Sequence, residues 1–152
     1  MATNGALPEP TTDELRDIKE VAQLMLVLAE TLQAGFSAMA AQFGLTAAQA
    51  KLLLNLAPGE ALPMRALAER LDCDASNLTG LVDRLEARGA VRRQADPADR
   101  RIKVLVITDE GCRVRDNFWS GMVANAGPFA QLSGRQVRQL RDLLRSVAPA
   151  TH

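Results

Sequence analysis

The residues of this sequence with the clearest chemical potential are basic side chains gathered in one short segment. Between Arg84 and Lys103 the chain carries seven Lys or Arg residues against three acidic ones, a local excess of +4 in a protein whose formal net charge is zero. Guanidinium and ammonium groups concentrated in this way bind phosphate oxygens. The segment therefore predicts a phosphate-binding surface that the neutral total conceals. The seven residues are Arg84, Arg88, Arg92, Arg93, Arg100, Arg101 and Lys103.

Catalytic and metal chemistry lack their usual side chains. The single histidine is His152, there is no tyrosine, and no glycine-rich phosphate loop is present. Cys73 and Cys112 lie far apart without a CxxC pattern or a neighbouring histidine. Packing is the simpler role for both cysteines, although Cys73 precedes a predicted helix whose N-terminus could make its thiol sensitive to oxidation. We therefore expect no enzyme, no cofactor, no metal site and no disulfide framework.

Two short helices joined by a turn lead into the basic segment. Pro63 suits the first position of a helix over Met64 to Leu71, and Asp74 is a good N-cap for a second helix that runs to Arg88. Apolar residues form the inward stripe of the second helix, so its other face is polar. Such a pair fits the major groove of DNA. The residues on the polar face are Ser76, Asn77, Thr79, Gly80, Asp83 and Arg84.

The remaining basic residues lie on a predicted hairpin. Its strands are the β-branched runs at 91–94 and 102–107, and we expect no other strand in the chain. Arg92 and Arg93 lie on the first strand, and a turn that holds Asp99 follows. Such a hairpin can lie along a DNA backbone and place an arginine in the minor groove, with Asp99 orienting one of the arginines. Considered alone, the hairpin is explained equally well as a solvated charge run with internal ion pairs.

Long apolar helices flank this central part. Thr11 and Glu14 form a capping box, and apolar residues then recur at 3,4 spacing from Leu15 to Phe43. About 32 helical residues span roughly 48 Å, more than a core of this size needs, which favours a second chain over a long helix in a monomeric bundle. Further helices are predicted after Thr46, Thr108 and Ser133. Residues 1–10 are expected to be a flexible tail, and the absence of a signal peptide or an uninterrupted apolar span predicts a cytoplasmic protein with no membrane partner.

Three segments resemble the MarR (multiple antibiotic resistance regulator) family of bacterial winged-helix proteins. They are LTAAQAKLLLNL at 45–56, MRALAERLDCDASNLTGLVDRLEARGAVRR at 64–93 and DPADRRIKVLVITDEG at 96–111. The most specific part is the Asp-x-Arg of residues 99–101, which a strand and Thr-x-x-Gly follow. The resemblance implies a mainly α fold, a winged helix-turn-helix with a small β-hairpin wing and long N- and C-terminal dimerisation helices. It implies one MarR-like domain over 11–152, with dimerisation helices at 11–44 and 112–147 and a winged-helix DNA-binding lobe at 45–108.

The same resemblance implies a function and its residues. We expect a homodimeric transcription regulator, most often a repressor in this family, that binds double-stranded DNA at a pseudo-palindromic operator and inserts Arg101 into the minor groove. A small aromatic or phenolic ligand would release the regulator from DNA. The ligand would bind in a pocket walled by Phe36, Met39, Phe43 and Trp119, unless these residues are simply core. The alternative is a winged-helix scaffold for protein partners, without specific DNA binding. The predicted DNA contacts are Arg65, Ser76, Asn77, Thr79, Gly80, Arg84, Arg92, Arg93, Asp99, Arg100, Arg101 and Lys103.

Overall fold

The computed structural model describes residues 11–96, 98–125 and 127–148, so the predicted tail at 1–10 lies outside the described residues. Within these ranges the chain is mainly helical, as predicted, with a small antiparallel sheet. A short 3₁₀ helix at Gly127–Phe129 precedes the last α-helix. The helices are α1 Thr12–Gln42, α2 Ala47–Leu54, α3 Met64–Leu71, α4 Ala75–Ala87, α5 Asp109–Ala124 and α6 Gly134–Val147; the strands are β1 Leu62–Pro63, β2 Val91–Ala95 and β3 Lys103–Ile107.

Side-chain caps fix where most helices begin. The side chains of Thr11, Thr46 and Ser133 each accept a hydrogen bond from the backbone three residues on, and each is part of a complete capping box. Asp74 and Thr108 cap α4 and α5 in the same way through their own oxygens. The capping residues therefore confirm the predicted starts of five helices.

The sheet contains one strand more than the sequence predicts. Its order is β1-β3-β2, and the expectation that the hairpin supplies every strand is wrong, because Leu62 pairs with Leu105 and Pro63 with Val104. Two residues are too few to show an alternating pattern. Pro63 has no N–H to donate and is tolerated here because β1 is an outer strand. The sequence predicts Pro63 at the first helical position, whereas the structure has it as the N-cap of α3, one position earlier.

The hydrophobic core lies in the middle of the chain. It joins α2, α3 and α4 to the sheet and to the C-terminal end of α1, where Met39 and Ala40 are buried. Phe118 of α5 is fully buried against this group. By contrast, the N-terminal two thirds of α1 and all of α6 contain no buried residue. The fold thus consists of a packed central lobe and two helices, α1 and α6, that carry exposed apolar side chains.

α1 is long and apolar enough, by length and composition alone, to cross a membrane. Its most apolar 18-residue window has a mean hydropathy of 1.4, and 11% of that window is buried. One such helix is a weak indication of a membrane span. An exposed apolar surface of this length is typical of an interaction site.

The Thr-x-x-Gly motif joins the hairpin to α5. The hydroxyl of Thr108 donates to the Gly89 carbonyl at 2.6 Å and accepts from the Gly111 N–H at 3.1 Å. A Cβ atom at Gly111 would lie 2.0 Å from the carbonyl oxygen of Ala90 and 2.7 Å from Cγ1 of Ile107. Glycine at this position therefore allows the first turn of α5 to lie directly on the backbone that enters β2.

Arginine side chains close the C-terminal ends of two helices from a distance in sequence. α1 has no basic residue in its last turn, and Arg88, the C-cap of α4, donates to the carbonyl oxygens of Phe43 (2.8 Å) and Gly44. Arg115 of α5 donates to the Leu56 carbonyl at 3.0 Å, just after α2. A cation at the negative end of a helix dipole is favourable, so these contacts tie neighbouring helices together.

Candidate nucleic-acid interface

The outward face of α4 presents short polar side chains at an open surface. Ser76, Asn77, Thr79 and Arg84 are exposed, and a Cβ at Gly80 would have no atom within 4 Å. The Ser76 hydroxyl donates to Asp74 at 2.6 Å, and this hydrogen bond is the largest cause of the lowered pKa of Asp74. Amide, hydroxyl and guanidinium groups of this kind can bond base edges, and Gly80 permits close approach.

The tip of the wing is a tight turn. We use "wing" for β2, β3 and residues 98–102 between them. The Asp99 carboxylate accepts the Arg101 N–H at 3.0 Å, and the Asp99 carbonyl accepts the Ile102 N–H at 2.9 Å. Asp99 thus orders the backbone that carries Arg100 and Arg101, both of which are exposed. The turn projects two guanidinium groups from the end of the hairpin.

The seven basic residues of the 84–103 segment divide into two groups. Arg88 donates to backbone carbonyls at the C-terminal end of α1. Arg93 forms ion pairs with Asp83 (2.6 Å) and Glu86 (2.5 Å) of α4. Within the described residues, the other five form no ion pair. These five exposed cations are Arg84, Arg92, Arg100, Arg101 and Lys103.

Arg65 lies in the first turn of α3, on the same side of the helix-turn-helix. Its guanidinium contacts Glu69 at 3.1 Å, and both side chains are largely exposed. Such a surface pair is weak, so Arg65 can exchange this partner for a phosphate at little cost.

The four residues predicted to wall a ligand pocket are placed in three different environments. Phe36 and Phe43 pack on Phe118, with ring centroids 5.0 and 6.0 Å from it. Trp119 is half exposed and lines a cleft beside Arg70 and Arg115. Met39 lines a separate apolar cleft of about 370 Å³. That cleft lies between α1, α5 and the 3₁₀ helix, and its walls include Leu32, Gly35, Met39, Met122 and Phe129.

Comparison with known proteins gives a consistent result. The MarR family model matches residues 45–103. The chain is 33% identical over 101 residues to the transcriptional repressor MdtR of Bacillus subtilis, covering 62% of this chain and 65% of MdtR. It is 36% identical over 117 residues to the transcriptional regulator TtmR of Methylorubrum extorquens, covering 77% of this chain and 60% of TtmR. The chain therefore spans slightly less than two thirds of the length of these curated relatives.

A solved structure extends the likeness over nearly the whole chain. CouR of Rhodococcus jostii RHA1, determined bound to p-coumaroyl-CoA, is 32% identical with a TM-score of 0.68. The alignment covers 87% of this chain and 94% of CouR. The likeness therefore extends well beyond the residues that the family model matches.

Proposed function

We propose, on the premise that this chain belongs to the MarR family of transcriptional regulators, that it represses transcription as a homodimer bound to an operator in duplex DNA. The observation that carries the proposal is the surface on which the polar face of α4 adjoins a wing with exposed cations. The similarity to MdtR, a repressor, supports the direction of regulation. A DNA-binding role also supports a cytoplasmic location.

Each part of this surface suits a different part of the duplex. α4 would enter the major groove, where Ser76, Asn77, Thr79 and Arg84 could bond base edges, and Gly80 would allow the helix to approach. The wing would follow the backbone and insert Arg101 into the minor groove, because a narrow minor groove attracts a guanidinium. Asp99 would act by holding the turn. The phosphate contacts that we propose are Arg65, Arg92, Arg100 and Lys103.

A second copy of the chain is the partner that best covers α1 and α6. Leu24 of α1 is 61% exposed and Val147 of α6 is 69% exposed, and each belongs to a longer apolar stripe. A bilayer around α1 would leave the α6 stripe uncovered and would surround Glu30 with hydrocarbon, which is unfavourable. Two chains that interlock through both helices would bury both stripes and leave the charges in water.

Selection of bound duplexes from a random pool tests this function. We expect the recovered sites to contain two inverted half-sites about one helical turn apart, roughly 34–36 Å, because two α4 helices must enter successive major grooves on one side of the DNA. Light scattering should give twice the chain mass of 16.4 kDa. Recovery of unrelated sequences that a nonspecific competitor displaces would contradict the proposal and favour a protein-binding scaffold.

Two variants of α1 provide matched controls for the dimer. Met25→Glu places a charge in the apolar seam, whereas Gln23→Glu places the same charge nearly opposite on the exposed polar side of the helix. The first should reduce the mass to that of one chain and abolish the discrete DNA complex. The second should preserve both properties. If Met25→Glu remains dimeric and binds normally, the α1 interface is wrong.

We further propose that a small ligand binds in the apolar cleft between α1 and α5 and releases the repressor. Its volume of about 370 Å³ fits an aromatic acyl group rather than a whole coenzyme A thioester. The similarity of the chain to CouR, which was determined with p-coumaroyl-CoA, supports an aromatic acyl ligand. A ligand that separates α1 from α5 would change the position of each central lobe on its dimer, and hence the separation of the two α4 helices.

Thermal unfolding with p-coumaroyl-CoA and with simple aromatic carboxylates tests the cleft. A probe at 100 times its Kd should stabilise the protein by about 2.7 kcal/mol, which corresponds to roughly 5–10 °C in Tm. Gly35→Leu should remove this shift and still fold, because Gly35 lies in the cleft wall and its added side chain meets no atom within 4 Å at Cβ. An equal shift in Gly35→Leu would place the ligand elsewhere.

A further inference from the structure

Arg93 makes three contacts to one face of α4. Its backbone N–H donates to Oε1 of Glu86 at 2.8 Å, its Nη1 to Oε2 of the same carboxylate at 2.5 Å, and its Nη2 to Oδ1 of Asp83 at 2.6 Å. The Arg93 side chain is only 26% exposed, in contrast to the other arginines of the wing. The backbone amide and the guanidinium of Arg93 therefore both donate hydrogen bonds to side chains of α4.

These contacts also satisfy the open edge of the sheet. β3 lies between β1 and β2, so β2 is an outer strand. An outer strand exposes backbone N–H groups without a strand partner. The Glu86 carboxylate accepts hydrogen bonds from both the backbone N–H and the guanidinium of Arg93. It thereby pairs an edge N–H of β2 and fixes the position of β2 against α4.

The side chains of Arg93, Asp83 and Glu86 form one cluster. Burial disfavours the charge on Arg93, but the hydrogen bonds that its guanidinium donates to Asp83 and Glu86 outweigh this effect and raise the Arg93 pKa. The Arg93 backbone N–H is the largest cause of the lowered pKa of Glu86. Arg93 and Glu86 are thus held in their charged forms. Without Arg93, two carboxylates with no cationic partner would lie on the helix that we propose enters the major groove.

We propose that Arg93 is a positioning residue that holds the wing and α4 at one fixed angle, rather than a phosphate contact. This inference rests on the proposed DNA-binding function. It revises the sequence-based expectation that Arg93 binds DNA directly. Because one guanidinium connects the strand that leads to the wing tip with the helix that enters the major groove, both would meet their grooves in register.

The double variant Asp83→Asn with Glu86→Gln distinguishes a positioning role of Arg93 from a purely electrostatic one, because the two predict affinity changes in opposite directions. It removes two negative charges per chain, so electrostatics alone predicts tighter binding to any duplex. If Arg93 positions the wing, binding to the duplex selected by the wild-type protein should weaken on the order of tenfold, whereas binding to a random-sequence duplex should strengthen. The ratio of specific to nonspecific affinity should fall. Tighter binding to both duplexes would overturn the inference.

A charge-matched control lies on α3 and the turn after it. Glu69→Gln with Asp72→Asn also removes two exposed acids, and asparagine tolerates the left-handed conformation of residue 72 (φ 49°). This variant should strengthen binding to both duplexes in parallel and leave their ratio unchanged. A fall in the ratio equal to that of the first variant would show that charge, and not the Arg93 contacts, determines specificity, and would overturn the inference.

Hydrogen exchange without DNA provides a second, independent measurement. Loss of the Arg93 contacts should increase exchange at the amides of β2 and of residues 98–102 in the first variant, while the core amides of α2 and α5 stay protected. Unchanged exchange in the wing would overturn the inference whether or not the wild-type protein selects a duplex. Failure of the wild-type protein to select any duplex, with faster exchange in the variant, would instead reject the proposed function and retain the structural role of Arg93.

Discussion

A Gly111→Ala variant is expected to lose about 3 kcal/mol of unfolding free energy, the upper end of the usual range for adding atoms to a packed site. The added Cβ would lie 2.0 Å from the Ala90 carbonyl oxygen, so α5 must move away from the backbone at the start of β2. This movement would also separate the Thr108 hydroxyl from the Gly89 carbonyl. Thermal unfolding should show a decrease in Tm of roughly 6–12 °C for a chain of this size.

Gly80→Ala is the matched control for this substitution. Gly80 also lies within a helix, but an added Cβ there meets no atom within 4 Å. Alanine should therefore stabilise α4 by up to about 1 kcal/mol through helix propensity. If both variants unfold at the wild-type temperature, α5 does not rest on the Ala90 carbonyl as the structure has it.

An Arg101→Ala variant should weaken binding to the selected operator about 10- to 100-fold and leave the dimer intact. The reason is that Arg101 stands at the exposed tip of the wing, where the Asp99 carboxylate holds its backbone N–H. A guanidinium in the minor groove also displaces condensed counterions, so its loss from each chain of the proposed dimer should make the plot of log K against log salt concentration shallower by up to about 2. Fluorescence anisotropy at several salt concentrations measures both quantities.

Arg16→Ala controls for the loss of a positive charge. Arg16 is also exposed but lies near the N-terminus of α1, where it contacts Asp13 at 3.1 Å. Its removal should change operator affinity less than twofold, because exposed ion pairs contribute little. Equal losses from the two arginine variants would mean that net charge, rather than the wing tip, controls binding.

Local sequence signals predicted the helices because the determinants of a helix start lie within four residues of each other. Thr11 with Glu14 and Ser133 with Gln136 are reciprocal caps that any surrounding fold would use. Asp74 could be recognised as a cap in the same way. The polar face of α4 followed from its spacing alone, since a side chain that is not on the inward stripe must point elsewhere.

The parts that sequence did not predict depend on residues far apart in the chain. Arg88 reaches the end of α1 across more than forty residues, and no local pattern distinguishes it from the neighbouring exposed Arg84. The role of Arg93 depends on which face of β2 meets α4. Acidic residues at i and i+3 of the helix before an arginine-bearing strand are the signal that could have indicated it. The paired strand β1 and the packing of Phe36 on Phe118 likewise need the assembled lobe.

The contact of Arg88 with the end of α1 has a mechanical consequence for a protein of this kind. Thirty-one helical residues form a rod about 46 Å long, and tilting such a rod by roughly 4° moves its far end by about 3 Å. That distance is close to the rise of one base pair, about 3.4 Å. Arg88 holds the end of α1 together with the buried Met39 and Ala40, so if two chains cross through α1 as we propose, a small change of angle at the crossing would become a slip of about one base-pair step along the duplex.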